Sequence, residues 1–150
     1  MRSFGPALRR LTRDLAETAG SYPRTTGIAA PQVGELWRVC LVDCTGHPKV
    51  PAPHGRLVMV NPVVRGWSGA EIGREGCLSL PDITANVERA THVEVAFQDL
   101  AGTRCAVRAE GFEARVILHE MDHLDGVLIL DRVASLALDV FPRRSRGRRG

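Results

Sequence analysis

The stretch Arg115-Val-Ile-Leu-His-Glu-Met-Asp-His-Leu-Asp-Gly126 decides how the rest of the sequence is interpreted. Its pattern is helical over residues 113–124, and Asp125-Gly126 ends the predicted helix. His119 and His123 are four residues apart, so a helix places both imidazoles on one face, one turn apart. Two nitrogens in that arrangement can bind one metal ion at about 2.1 Å. The stretch therefore predicts a metal-binding helix, although two partly exposed histidines on an amphipathic helix would give the same spacing.

Glu120 lies between the two histidines in the sequence and is expected to project beside the same site. There it can accept a proton from a metal-activated water and later deliver it to a leaving group. Most hydrolases with this His-Glu-x-x-His pattern are metallopeptidases with a third ligand downstream. No histidine follows His123, which leaves only acidic candidates in that direction: Asp125, Asp131 and Asp139. An upstream ligand is favoured.

The upstream candidate is Cys77, in Glu75-Gly-Cys-Leu-Ser-Leu-Pro81. Its thiolate can bind a metal, and the neighbouring glycine lets the backbone approach a substrate. The alternative interpretation, a buried apolar thiol, would be preferred for an isolated cysteine. With two histidines in need of a third ligand, ligation by Cys77 is the favoured hypothesis.

Length and composition predict one compact domain. The chain has 150 residues, 44% of them hydrophobic and 25% charged, which is ordinary for a globular protein. Its apolar runs are too short for a membrane span, and no secretion signal is recognisable at the N-terminus, so we expect a cytoplasmic location and no membrane partner. Four cysteines in such a protein are expected to be thiols or metal ligands: Cys40, Cys44, Cys77 and Cys105. Cys40 and Cys44 are expected to pack in the core rather than to form a second metal site with His47 and His54.

The pattern along the chain indicates an α+β fold, with short antiparallel strands packed around the central metal-binding helix. Residues 6–20 are predicted to form an amphipathic helix. Strands are predicted at residues 38–43, 56–61, about 71–79, 92–98 and 104–109. A single catalytic domain is expected over residues 1–141, followed by a basic, disordered tail at residues 142–150.

The tail concentrates the positive charge. The last eight residues carry five arginines, while the whole chain has a net charge of +3. Arginines can neutralise phosphates, so association with ribosomal RNA is one interpretation. A solubilising, unstructured tail is the other, since no aromatic residue accompanies the arginines to stack on bases.

Three stretches together resemble the peptide deformylase family. That family carries Gly-Φ-Gly-Φ-Ala-Ala-x-Gln, Glu-Gly-Cys-Φ-Ser and Gln-His-Glu-Φ-Asp-His-Leu-x-Gly, where Φ is hydrophobic. The chain has Thr25-Thr-Gly-Ile-Ala-Ala-Pro-Gln32, Glu75-Gly-Cys-Leu-Ser79 and Leu118-His-Glu-Met-Asp-His-Leu-Asp-Gly126, in the same order. The resemblance extends from about residue 6 to about residue 133, and it implies an enzyme that removes the formyl group from N-formylmethionyl termini of nascent polypeptides and releases formate.

The resemblance also implies a role for individual residues. The metal would be held by Cys77, His119 and His123; the family typically uses Fe²⁺, and Zn²⁺ or Ni²⁺ can occupy the same site. Glu120 would act first as the general base and then as the general acid. Further family positions would stabilise the oxyanion (the Gln32 amide and the Leu78 backbone N–H) or bind the substrate (Gly27, Glu75, Gly76 and Arg89). Read without the family, Gln32 is a surface turn residue and Arg89 a solvated arginine.

The chain departs from the family motifs at three positions. Thr25 and Thr26 replace a glycine and a hydrophobic residue, and Leu118 replaces a glutamine. If that glycine takes a positive φ, Thr25 would strain or redirect the loop. Family members also usually carry a further segment ahead of the helix at residues 6–20. These departures leave two alternatives to an active deformylase: a His-Glu-x-x-His metallopeptidase with an acidic third ligand, and an inactive deformylase-like binding protein.

Overall fold

A computed structural model describes residues 4–143 as two antiparallel sheets with helices packed against them. The helices are α1 (Pro6–Gly20), α2 (Gly111–Leu124) and the single turn α3 (Ile129–Arg132), with a short 3₁₀ helix at Ala30–Val33. The strands are β1 (Gly27–Ala29), β2 (Val39–Asp43), β3 (Arg56–Ser68), β4 (Glu71–Cys77), β5 (Leu80–Arg89), β6 (His92–Gln98), β7 (Arg104–Glu110) and β8 (Val140–Pro142). The predicted α+β class is confirmed.

The five-stranded sheet has the order β1-β2-β3-β6-β7, and the three-stranded sheet the order β4-β5-β8. Helix α1 packs its buried leucines on β1 and β2. Helix α2 lies across the larger sheet, where Ala114, Ile117 and Met121 join the main core cluster. The smaller sheet closes over its own cluster with α3, through Val87 and Ile129. β1 and β4 are both edge strands, and the functional residues lie between them.

Strongly periodic segments were predicted most accurately. α1 and β6 have the predicted bounds, and α2 ends at Leu124 as expected but begins two residues early, at Gly111. β3 continues beyond its predicted end to Ser68, and β5 was not predicted at all. The long β5 carries Pro81 and Asp82 near its start, residues that strands disfavour. Its pairing with β4 and β8 overrides that preference.

The predicted domain boundary at residue 141 falls within β8, where Pro142 pairs with Ile83 and the backbone N–H of Arg143 donates to the Asp82 carbonyl at 2.8 Å. Most of the predicted tail, residues 144–150, lies outside the described residues. Between residues 4 and 143, no helix is long and apolar enough to cross a membrane.

Cys40 and Cys44 are fully buried, as predicted, and all four cysteines are free thiols. Burial raises the pKa of both thiols, that of Cys44 to about 12, so they are poor nucleophiles. The residues once considered as partners in a second metal site have other contacts. His47 stacks on Phe112 with ring centroids 4.2 Å apart, and His54 pairs with Glu113.

Candidate active site

Cys77, His119 and His123 form a cluster between β4 and α2. Cys77 is the last residue of β4, and the two histidines lie one turn apart on α2. The Nε2 atom of His123 is 3.2 Å from the Sγ of Cys77 and 3.2 Å from the Nε2 of His119. All three donor atoms lie within 4.8 Å of one another. The structure therefore brings together the three residues that the sequence nominated as metal ligands.

The donor atoms fit a shared metal ion. In a tetrahedral site with bonds of about 2.1–2.3 Å, neighbouring ligand atoms lie roughly 3.4–3.7 Å apart, close to the spacing observed. One thiolate with two imidazoles is a donor set for Fe²⁺, Ni²⁺ or Zn²⁺. A further sign is the Oε2 atom of Glu120, a buried oxygen for which residues 4–143 provide no hydrogen-bond partner. A buried carboxylate oxygen without a protein partner can accept a hydrogen bond from a molecule bound at the cluster.

The cluster favours the thiolate form of Cys77, the form that binds metals. Burial alone would raise the pKa of this thiol, but hydrogen bonds from His119, His123 and the backbone of Ser79 lower it to about 5. Burial would likewise lower the pKa of His119, but contacts with Cys77 and Glu75 raise it to about 10. Binding of a metal by Cys77 and His119 therefore requires the His119 imidazolium to release a proton.

Glu75 holds His119 from the side opposite the cluster. Its Oε1 lies 2.9 Å from Nδ1 of His119, so Nδ1 carries a proton and Nε2 is left for a metal. Arg89 donates to both Glu75 oxygens at 2.9 Å, and Arg115 donates to Oε2 at 2.6 Å. Burial would raise the pKa of Glu75, but the hydrogen bonds from His119 and Arg89 lower it to about 2. Glu75 thus orients His119, and it also lines the groove beside the cluster.

The expectation for Arg89 needs correction. It was predicted to contact the substrate, or else to be a solvated arginine, yet only 6% of it is exposed. Its guanidinium is held by Glu75 and by Asp122, and it does not line the groove beside the cluster. Asp122 in turn pairs with Arg132 at 2.7 Å. Arg89 therefore positions Glu75 from behind, because long-range pairing with buried carboxylates outweighs its tendency to remain in water.

Sequence reasoning missed Arg115. Its Nη1 donates to Glu75 and to the Val87 carbonyl, and its Nη2 to the Glu71 carbonyl at 2.8 Å. The guanidinium passes so close to Gly73 that a Cβ there would lie 2.8 Å from the Cζ of Arg115. Arg115 comes four residues before His119, on the same helix face, and that spacing was the available signal.

Glu120 projects from α2 toward β1 and is 4% exposed. Burial raises its pKa to about 7, although the charges of His119 and His123 act in the opposite direction. Gly27 makes room for this carboxylate: a Cβ at Gly27 would lie 2.8 Å from both Cγ and Oε1 of Glu120. The glycine is required by the close approach of Glu120, a more specific reason than the groove shaping expected from the sequence.

Gln32 faces the cluster from the 3₁₀ helix. Its Oε1 accepts the Ala29 N–H at 2.9 Å, which fixes the amide orientation. The Nε2 then donates to Ser79 Oγ at 3.2 Å and lies 3.9 Å from the Sγ of Cys77. Gln32 is thus more than a surface turn residue. Leu78, directly after Cys77, lies in the turn between β4 and β5 and lines the same groove.

The groove beside the cluster has a volume of about 530 Å³. Thr26, Gly27 and Gln32 line one side, and Gly76 and Leu78 line the other; apolar surface comes from Phe112 and Val116 on α2. A larger cavity of about 700 Å³, between the loop after β2 and the ends of β6 and β7, contains none of the cluster residues. The smaller groove is the candidate active site, because Cys77, His119 and Glu120 line it.

The backbone at Thr25 is not strained. Thr25 does not take a positive φ; its neighbour Arg24 is left-handed, with φ of 64°, and the Thr25 hydroxyl donates to the Tyr22 carbonyl at 3.0 Å.

The acidic third ligand expected of a metallopeptidase is not formed, because each downstream aspartate has another contact. These are Asp125 with Arg38, Asp131 with the Leu128 N–H, and Asp139 with the Ser135 N–H.

The chain is similar to known proteins along most of its length. Residues 1–138 match the family model described as polypeptide deformylase. The chain is 42% identical to the peptide deformylase of Dictyoglomus thermophilum over 131 residues, 87% of this chain and 80% of that protein. Its structure is similar to that of peptide deformylase from Thermotoga maritima, with a TM-score of 0.81 and 34% identity over 90% of this chain and 86% of the other. It is also similar to the Met-Ala-Ser-bound enzyme of Acinetobacter baumannii, with a TM-score of 0.78 and 37% identity over 86% and 82% of the two chains.

The family model, the relatives and the solved structures all name one family. The chain belongs to the peptide deformylase family of metal-dependent hydrolases, which remove the formyl group from the N-terminus of nascent polypeptides.

Proposed function

We propose that Cys77, His119 and His123 hold one Fe²⁺ ion, and that Glu120 moves the proton during hydrolysis of the formyl amide. The observation that carries this proposal is the meeting of a thiol and two imidazoles beside a buried carboxylate with an unpartnered oxygen. When bound, a divalent ion supplies Lewis acidity and lowers the pKa of a water molecule. Zn²⁺ and Ni²⁺ are compatible with the same donor set, and the family resemblance favours Fe²⁺.

Glu120 is proposed to act as base and then as acid. Its Oε2, which has no hydrogen-bond partner within residues 4–143, accepts a proton from the water that attacks the formyl carbon. The same oxygen then returns that proton to the amide nitrogen as the carbon–nitrogen bond breaks. Formate leaves, and the methionine gains a free amino group.

Gln32 and Leu78 are proposed to stabilise the oxyanion that forms on the formyl oxygen. The Gln32 Oε1 is already fixed by the Ala29 N–H, so its amide nitrogen needs little reorganisation to donate. Leu78 would supply a backbone N–H from the turn next to Cys77.

The peptide is proposed to lie in the groove between the edge strands β1 and β4, where a strand-like ligand can pair with exposed backbone groups. Gly27 and Gly76 line this groove, and Phe112 and Val116 offer an apolar surface for the methionine side chain. The Acinetobacter baumannii relative was crystallised with Met-Ala-Ser, a peptide of the kind that deformylation yields.

The first prediction concerns Glu120. Replacement by alanine should lower formate release from formyl-Met-Ala-Ser by about 10²–10⁴-fold, because the proton carrier is lost. Metal analysis of anaerobically purified protein should show the ion retained, and should identify it. Glu88→Ala, at an exposed position on β5, is the matched control. Formate release by Glu120→Ala at the wild-type rate would exclude the proposed role. An anaerobically loaded wild-type protein that releases no formate would instead support the inactive binding protein.

The second prediction concerns Gln32. Gln32→Ala should reduce kcat by about 10²–10³-fold with a smaller change in KM, because an oxyanion donor acts mainly in the transition state. Steady-state kinetics with the same peptide measure both constants. A variant that changes only KM would show that Gln32 binds the substrate rather than the oxyanion.

The third prediction concerns Glu75. Glu75→Gln should weaken metal affinity by about 10–100-fold, because the charged acceptor that orients His119 is lost. Competition with a chromophoric chelator measures this affinity without recourse to turnover. Circular dichroism establishes that the variant is folded, and Glu88→Gln is the control. Equal affinity in Glu75→Gln and wild type would contradict the orienting role.

We also propose that the enzyme works in the cytoplasm and associates with ribosomes through its Arg-rich C-terminal residues. The support for ribosome association is charge alone: five arginines lie within the last eight residues. Phosphate contacts of this kind weaken steeply with salt. Deletion of residues 144–150 should therefore abolish salt-sensitive cosedimentation with ribosomes while hydrolysis of a short peptide continues. Cosedimentation that is unchanged by the deletion would refute the association.

A further inference from the structure

Three exposed arginines stand around the substrate groove: Arg24, Arg74 and Arg143. Within residues 4–143, none of them forms an ion pair with a carboxylate, whereas Arg89, Arg115 and Arg132 all do. We refer to Arg24, Arg74 and Arg143 as the arginine rim. Its charge is available to whatever occupies the groove.

Arg74 is fixed in position by uncharged partners. Its guanidinium lies 3.7 Å from the ring centroid of Phe141, its Nε donates to Asn86 at 3.1 Å, and its Nη1 donates to Thr84 at 3.3 Å. These contacts restrict the side chain but do not neutralise it. An ordered arginine loses less conformational entropy when it binds a second partner.

Arg143 extends over the strand that carries Cys77. Its backbone is fixed to Asp82, and its guanidinium lies against Gly76 so closely that any Cβ at Gly76 would overlap it. Residues 74 and 76 of β4 share one face of the smaller sheet, because side chains alternate along a strand. Arg74 and Arg143 therefore lie together on the outer face of that sheet, at the border of the groove.

The carboxylates in the groove wall do not cancel this charge. Glu75 is 6% exposed and already engaged with Arg89 and Arg115, and Glu120 is 4% exposed. The groove surface open to a ligand is thus positive at its rim. The N-terminus of a formylated peptide carries no charge, so side chains further along the peptide decide its electrostatic interaction with the rim.

We propose that the arginine rim makes this enzyme prefer formylmethionyl peptides with an acidic side chain in the residues after methionine. The inference rests on the proposed function of the groove and adds a substrate preference to it. A nucleic acid would match the same charge, but the three arginines surround the path to Cys77 and His119, where a peptide must pass.

The test uses three C-terminally amidated peptides, formyl-Met-Ala-Xaa-Ser, with Glu, Gln or Lys as the third residue. At low salt, kcat/KM should fall in the order Glu, Gln, Lys, with steps of about 1.4- to 5-fold, the range for exposed ion pairs. The differences should lie in KM rather than in kcat. They should shrink toward unity in 1 M salt, where the screening length is about 3 Å.

Charge changes in the rim should alter the Glu-to-Lys ratio. Arg74→Gln should lower it, and Arg143→Glu should lower it further or invert it in favour of the Lys peptide. Arg65→Gln is the matched control, since Arg65 is exposed on β3 and lies outside the groove. Its ratio should equal that of the wild type.

Equal kcat/KM values for the three peptides in the wild type would overturn the preference, while turnover of the Gln peptide in the same assay would leave the proposed function intact. A ratio that Arg65→Gln changes as much as Arg143→Glu would also overturn it, because the effect would then reflect overall charge. Calorimetric binding of the same peptides to metal-loaded Glu120→Gln tests the preference independently of turnover, and equal affinities there would equally refute it.

Discussion

The buried carboxylate of Glu75 is the contact on which the rest of the site depends. It accepts hydrogen bonds from Arg89, Arg115 and His119, which belong to β5 and α2, while Glu75 itself lies on β4. A buried charge is costly unless it is paired and hydrogen-bonded, and here two guanidiniums meet that requirement. Removal of either arginine would leave the Glu75 carboxylate with one guanidinium instead of two. The carboxylate thereby fixes where the smaller sheet lies relative to the helix that bears the histidines.

Negative and positive side chains alternate from Glu75 outward to the surface, so each of these buried charges has an opposite charge beside it. Arg89 bridges Glu75 to Asp122, and Asp122 is paired in turn with the half-exposed Arg132. Asp122 and His123 are neighbours on α2, so the network constrains both ends of the His119–His123 turn. Buried ion pairs are weak evidence for net stability, since apolar replacements can stabilise as well. Their consequence here is geometric, because the proposed metal ligands come from both β4 and α2 and need both elements held within a fraction of an ångström.

Features that depend on residues close together in the sequence could be predicted from local sequence patterns. The four-residue spacing of His119 and His123 requires only that the segment be helical, and α1 and β6 follow from their periodicity. Cys77 was nominated by elimination and by family motif, since no local pattern brings β4 to α2. Arg89 was misread, because the partners that bury it lie 14 and 33 residues away in the chain. Whether an arginine stays in water or enters a carboxylate network is decided by tertiary contacts that the sequence does not display.

The departures from the family motifs fall at positions where the structure requires no particular side chain or backbone conformation. Thr25 has an ordinary backbone conformation, because the left-handed conformation is taken by Arg24. Leu118 only adds apolar surface to the main core. Gly27 is different, since the Glu120 carboxylate occupies the space that a side chain would need. The same segment places Gln32 through a hydrogen bond to Ala29, two residues after Gly27. One short stretch therefore sets the position of both the Glu120 carboxylate and the Gln32 amide, the proposed proton carrier and oxyanion donor. A substitution at Gly27 would disturb both, whereas the threonines before it leave that geometry intact.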